Sequence, residues 1–239
     1  MNQTISRYSL KFSVFISWFV NQGFSVVSMN YRLAGGVDKI NVKDQIQDVF
    51  AVLKFISENR LYYGISKDKL CIMGDSSGGH LSLMTDIIFH DKEAQQYYGI
   101  NELPDVKISA IAVNSTMYDY VEVVKLGRKM LTKRGCKELF SKEYKNEEYV
   151  LKNSPRYYFK KKLDLEPLFG SSSSQDFFQY QSYLFKKDCE KLGYSLEYIF
   201  ESTENKKVGH IYNHFLLDEE EGLRCNNAMV EFFKKNIKD

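Results

Sequence analysis

With 239 residues, 44% of them hydrophobic, the chain can bury one large α/β core or two small ones. Its formal net charge of +2 excludes the strong pull toward nucleic acid or acidic lipid that a highly basic protein exerts. No run of 18 apolar residues occurs, so no membrane-spanning helix is expected.

Phe12, Phe15, Ile16 and Phe19 recur at helical spacing, which predicts an amphipathic helix over 8–21 ended by Gly23. The apolar part of this segment, 12–20, resembles a signal-peptide core in length. No small-residue cleavage site follows it, so it reads as a helix of the mature fold. Residues 24–31 read as a buried strand and Ala34-Gly35-Gly36 as a loop. Ile46, Val49, Phe50, Leu53 and Ile56 mark a second helix at about 42–59. Gly64 and Ser66 then turn the chain into a strand at 69–73, and a helix follows over about 78–90. The next strand is 106–113. This alternation calls for a mostly parallel sheet with helices on both faces.

From about 115 to 165 the pattern loosens into a charged, Tyr- and Lys-rich stretch, too long for an ordinary connection. It reads either as a cap over a site or as a helical insertion without a chemical role, within a single domain spanning 1–239. Its Lys-rich runs are broken by acids and aromatics and read as solvated faces. A strand at 165–170, a helix at 177–192, a strand at 195–200 and a helix at 219–236 complete the chain. The four cysteines, Cys71, Cys136, Cys189 and Cys225, have neither metal nor redox spacing. Cys71 lies in an apolar strand and reads as a reduced core thiol, which fits a cytoplasmic location.

The most informative segment is Gly74-Asp75-Ser76-Ser77-Gly78-Gly79-His80, set between the strand at 69–73 and a helix. Strand, tight turn through Gly-x-Ser-x-Gly, then helix is the layout of a nucleophile elbow, which thrusts the serine hydroxyl out of the turn. Gly74 and Gly78 are expected to make room for the sharp backbone and for close strand–helix packing. The motif alone can also be a Gly/Ser-rich turn; the preceding strand and Gly79 favour the elbow. It points to acyl-transfer chemistry at Ser76.

A serine hydroxyl needs a base, and the base needs an orienting group. In elbow folds the chain order is serine, acid, histidine. His80 and His90 come too early, which leaves His210 and His214. His210 stands in a loop after the strand at 195–200 and is favoured. His214 is the fallback, with a plain surface histidine as its alternative. For the acid, Asp176 follows the strand at 165–170 and the serine run 171–174, with a solvated loop aspartate as its alternative. Asp75 is adjacent to the nucleophile and is expected to point elsewhere.

With these residues in place, the chain resembles the esterase/lipase branch of the α/β-hydrolase superfamily, near the hormone-sensitive-lipase-like and acetyl-esterase-like members. The elbow 74–80 is specific. Asn30-Tyr31-Arg32-Leu33, Gln47-Asp48, Ser154-Pro155, Asp176-Phe177 and Gly209-His210-Ile211-Tyr212 are modest matches that occur in the family's order. The resemblance implies Ser76 as nucleophile, Asp176 as acid and His210 as base in a serine esterase acting on a small ester, with no cofactor or metal. It departs at one place. The family carries a His-Gly-Gly-Gly oxyanion loop after an early strand, and Gly35-Gly36 lies too late to supply it. The resemblance therefore implies an N-terminally truncated α/β-hydrolase fold in which the Ser77 N–H is the obvious oxyanion donor. The strands at 24–31 and 69–73 would then have to pair directly, recruit another strand, or leave backbone groups unsatisfied. A catalytically silent homologue and an amidase or peptidase of the same fold are the competing readings.

Overall fold

The serine elbow stands on four parallel strands in the order β1-β2-β3-β4, which is also their order along the chain. The computed structural model describes residues 7–34, 40–126 and 141–237. The strands are β1 (Leu70–Asp75), β2 (Ile108–Asn114), β3 (Leu168–Ser173) and β4 (Leu196–Glu201). Parallel pairing requires crossovers, and helices make them. The described α-helices are α1 (Arg7–Asn21), α2 (Val42–Tyr63), α3 (Ser77–His90), α4 (Lys92–Tyr98), α5 (Tyr120–Leu126), α6 (Glu147–Lys152), α7 (Pro155–Phe159), α8 (Gln179–Leu192), α9 (Tyr212–Phe215) and α10 (Glu220–Asn236), of which α3 to α8 lie between strands. Of these, α4 and α9 were not foreseen. Among the described residues, no helix is long and apolar enough to cross a membrane.

Every residue of β2 and β3 is buried, as expected of central parallel strands covered on both faces, although β3 ends in three serines. Alternate β2 side chains still separate two cores. Ile111 and Val113 join α2, α3 and α8 on one face, whereas Ala110 and Ala112 join Phe15, Phe19, Met229 and Phe233 of α1 and α10 on the other. The sheet is thus sandwiched between helical layers, as the alternation predicted.

The expected strand at 24–31 does not form. The segment is irregular, and 25–28 are exposed, with Val26 and Val27 facing outward. Among the described residues β1 pairs with β2 alone, and it is half-buried along its whole length. A β-rich composition reports a fit to a pleated, half-buried surface, and among the described residues no strand lies beside 24–31 to supply one. With 25–28 exposed, the segment is not a buried strand left without ladder partners. Its ends are pinned. Phe24 packs edge-on against Phe19 and Phe233, and the Arg32 guanidinium grips Asp48 of α2 at 2.8 Å. The Gln45 amide also donates to the Arg32 carbonyl. The two sequence matches at Arg32 and Asp48 therefore meet in space. The Gly35-Gly36 loop lies outside the described residues.

β3 begins three residues later than expected and takes in Ser171, Ser172 and Ser173. Within 115–165, the described part packs down onto the α/β body. Arg156 links Asp188 of α8 at 2.6 Å to Asp119 at 2.9 Å, and the Gln181 side chain accepts from the Tyr118 and Asp119 N–H groups. Cys71, Cys189 and Cys225 are free thiols; burial pushes Cys71 up to about 12 and Cys225 to about 11. Cys136 lies outside the described residues.

His80 ties α3 to the insertion. Its Nε2–H donates to the Asn153 carbonyl at 2.8 Å, and its ring stacks on Tyr120 at 4.4 Å. Burial depresses its pKa to about 4 against the opposing effect of that hydrogen bond. The ring is therefore neutral in the folded protein and takes a proton more readily when unfolded. Stability from this site is complete above about pH 6.5 and falls as pH drops toward 4, by about 3 kcal/mol in all. Thermal melts from pH 7 to pH 4 should show this slope in the native protein and its loss in His80→Gln.

Candidate active site

The C-terminal ends of the four strands lie side by side. Asp75 pairs with Asn114, and Asn114 with Ser171. Ser76, Ser115, Asp176 and His210 all follow strand ends, the side on which open α/β sheets build their sites.

Ser76 joins β1 to α3 with φ 54° and ψ −115°, the strained turn that an elbow requires. Its N–H donates to the Asn114 carbonyl at 2.9 Å, and its own carbonyl accepts from His80 N–H at 3.2 Å. A Cβ on Gly74 would stand 2.2 Å from the Gly78 carbonyl oxygen, and one on Gly79 would stand 2.7 Å from Thr116 Oγ1. These two glycines enforce the close strand–helix approach. Gly78, which the sequence suggested for that role, faces open space. Ser77 is the first helical residue, so its N–H belongs to the orphan donors at the start of α3.

Asp176 is 1% exposed and collects donors. Ser172 Oγ reaches Oδ2 at 3.0 Å, the Phe178 N–H reaches Oδ1 at 2.8 Å, and His210 Nδ1 reaches Oδ1 at 2.9 Å. A carboxylate can only accept, so the proton of this last bond sits on Nδ1. Burial alone would raise the pKa of Asp176; hydrogen bonds from His210, Ser115 and Phe178 outweigh it and hold the carboxyl below its usual range. The serine run thus has a purpose that its sequence did not disclose. Ser171 donates to Asn114 at 2.5 Å, Ser172 to Asp176, Ser173 to the Val208 carbonyl and Ser174 to the Thr203 carbonyl at 2.7 Å. Together they fix the acid and the loop that leads to His210.

The His210 ring rests against Phe177 at 4.2 Å and Phe178 at 5.3 Å, while Phe177 itself is 59% exposed. The next residue, Ile211, has φ 51° and donates its N–H to Ser115 Oγ at 3.1 Å. Among the described residues only four non-glycine residues have positive φ, and three of them, Ser76, Ser115 and Ile211, meet here. Strain of this kind collects at functional sites. Residues 114–115 bridge the elbow and the histidine loop through two hydrogen bonds, although none joins Ser76 Oγ directly to His210 among the described residues. Such contacts are often long until substrate binds.

His214 is not a surface residue. It is 4% exposed, stacks on Phe15 at 3.7 Å and meets the Asp75 carboxylate through Nε2. The contact is close but poorly aligned for a hydrogen bond. Asp75 points away from the site, as expected, toward His214 and the Asn114 amide at 2.6 Å.

The BD-FAE family profile matches residues 5–184. The chain belongs to the BD-FAE family. No curated protein matches its sequence significantly. Among solved structures, this BD-FAE chain is similar to inhibited esterase B from Lactobacillus rhamnosis, with a TM-score of 0.81 and 21% identity over 92% of this chain and 70% of that one. It is also similar to carboxyl esterase 2 from the mycorrhizal fungus Tuber melanosporum, with a TM-score of 0.70 and 16% identity over 95% and 73% of the two chains. EstE1, a thermostable carboxylesterase from a metagenomic library, gives a TM-score of 0.67 and 16% identity over 91% and 71%. At these identities the likeness shows the fold of the BD-FAE chain, which is that of the α/β-hydrolases.

Proposed function

We propose that this BD-FAE protein is a serine hydrolase of the carboxylesterase type, cleaving small acyl esters through Ser76, His210 and Asp176. The observation that carries the reading is the Asp176–His210 hydrogen bond of 2.9 Å, held beside a strained serine elbow. His210 Nε2 takes the Ser76 proton as Oγ attacks the ester carbonyl. The Ser77 N–H faces the charge that develops on the carbonyl oxygen. The alcohol departs with the proton from His210 and leaves an acyl-enzyme. Water then attacks that acyl group, gives a proton to His210, and the carboxylic acid and free Ser76 are regenerated.

The similar structures are described as esterases, and one structure of esterase B pairs it with a tributyrin phosphonate. The first supports ester hydrolysis and the second a short acyl group as substrate. A fluorophosphonate tests the assignment. We expect one label per chain, on the peptide that contains Ser76, together with hydrolysis of p-nitrophenyl acetate or butyrate. A folded chain that neither takes the label nor hydrolyses these esters would establish the silent-homologue reading instead.

A further inference from the structure

The histidine loop carries a second histidine–carboxylate pair that the proposed mechanism does not use. Asp75 immediately precedes Ser76, and His214 lies one helical turn beyond His210 on α9. We propose that Asp75 and His214 form a clamp that sets the separation of Ser76 and His210, making them positioning residues for the proposed hydrolysis. The inference rests on that functional reading and deepens it.

Ser76 and His210 belong to segments far apart in the chain, and the bridge through Asn114 and Ser115 holds those segments together at one place. Asp75 and His214 tie those segments within a residue or a turn of the reacting groups. Both oxygens of Asp75 are engaged. Asn114 Nδ2 donates to one at 2.6 Å, and His214 Nε2 lies against the other. Burial by itself would raise the pKa of this carboxyl; His214, Asn114 and Asn213 overcome that and keep it ionised. On the far side, Phe15 stacks on the imidazole at 3.7 Å and Phe12 meets it edge-on at 4.9 Å. The ring of His214 is thereby confined against Asp75.

A buried polar pair of this kind is a weak source of stability, since an apolar pair of similar volume often does as well, but it specifies one arrangement. That arrangement is passed on to the base. The His214 N–H donates to the Ile211 carbonyl at 3.1 Å, and the Ile211 N–H donates to Ser115 Oγ at 3.1 Å. The short stretch from His214 back to His210 is thus held at both ends. A shift of about 1 Å in a reacting group can cost about a hundredfold in rate.

Two amide variants separate positioning from bulk stability. His214→Gln places an N–H donor near the Nε2 position, within reach of Asp75, whereas His214→Asn is similarly polar but falls short. With p-nitrophenyl acetate, we expect His214→Asn to lose about 10- to 100-fold in kcat with KM within about threefold, and His214→Gln to recover most of that loss. The rate of fluorophosphonate labelling should follow kcat. Equal kcat in the two variants, or a kcat for His214→Asn within about twofold of the native value, would overturn the clamp. A readout independent of turnover is the downfield NMR signal of the hydrogen-bonded His210 Nδ1 proton. It should exchange faster with water in His214→Asn than in His214→Gln. If the native chain neither labels nor hydrolyses, the hydrolase reading fails while this signal still decides the clamp.

Discussion

Replacing Ser76 with alanine is expected to abolish fluorophosphonate labelling and to lower ester hydrolysis by up to about 10⁶-fold, the scale seen when a serine nucleophile is removed. The mechanism leaves no substitute. Ser77 begins α3 and in the proposed mechanism offers only its N–H, while Ser115 Oγ accepts from Ile211. The fold should survive, because Ser76 is bound through its backbone, by the N–H to Asn114 and the carbonyl to His80, and both bonds persist in the variant. Glycine at the same position sharpens the test. The φ of 54° is a strained value for a residue with a Cβ and costs on the order of 1–3 kcal/mol. Glycine relieves that strain against a backbone-entropy cost of roughly 0.5–1 kcal/mol. Ser76→Gly should therefore be as inactive as alanine yet melt a few degrees higher, by about 2–4 °C for each net kcal/mol gained. Calorimetry and the labelling assay check both halves. Residual labelling of Ser76→Ala at another serine would move the nucleophile elsewhere.

Changing Asp176 to asparagine is expected to lower kcat by about 10⁴-fold while the protein remains folded. Ser172, Phe178 and His210 all donate to this carboxylate. An asparagine offers one accepting oxygen and turns N–H donors toward the other partners. His210 Nδ1 then loses its acceptor, the tautomer with a bare Nε2 is no longer favoured, and the imidazolium formed during attack is no longer stabilised. The mismatch should also cost about 1–3 kcal/mol of stability. The sign with pH is fixed by the lowered pKa of Asp176. The native carboxyl is ionised throughout the neutral range, and its contribution is complete above the ordinary value of 3.8. It disappears as pH falls through the lower folded value. Asp176→Asn should therefore remove a component of acid unfolding below about pH 3.8 and leave the neutral stability profile displaced but otherwise unchanged in shape. Kinetics at neutral pH and melts across the acid range test these together.

The elbow was legible in the sequence because it is a local device. A strand, a turn with glycine at 74 and 79 and a helix start are written in consecutive residues, and their conformation follows from local sterics. The order of serine, acid and histidine limited the partners to a few candidates, and the structure brings Asp176 and His210 together. The helices were legible for a similar reason: their apolar faces repeat within one segment. Residues 24–31 misled because strand composition says nothing about whether a neighbour exists. The β3 boundary shifted because Ser171, Ser172 and Ser173 look like a loop, although each hydroxyl finds a buried acceptor.

The sequence by itself determined most of the helices, the strands that became β1 to β4, the strand–turn–helix elbow around Ser76 and the short list of acids and bases, since each rests on spacing along the chain. Only the tertiary structure decided that 24–31 stays outside the sheet, that the serine run anchors Asp176, and that His214 is a buried partner of Asp75. Those outcomes depend on contacts between residues distant in sequence. Whether a polar side chain is buried, and which acceptor it meets, is settled only when separate strands and helices pack against one another.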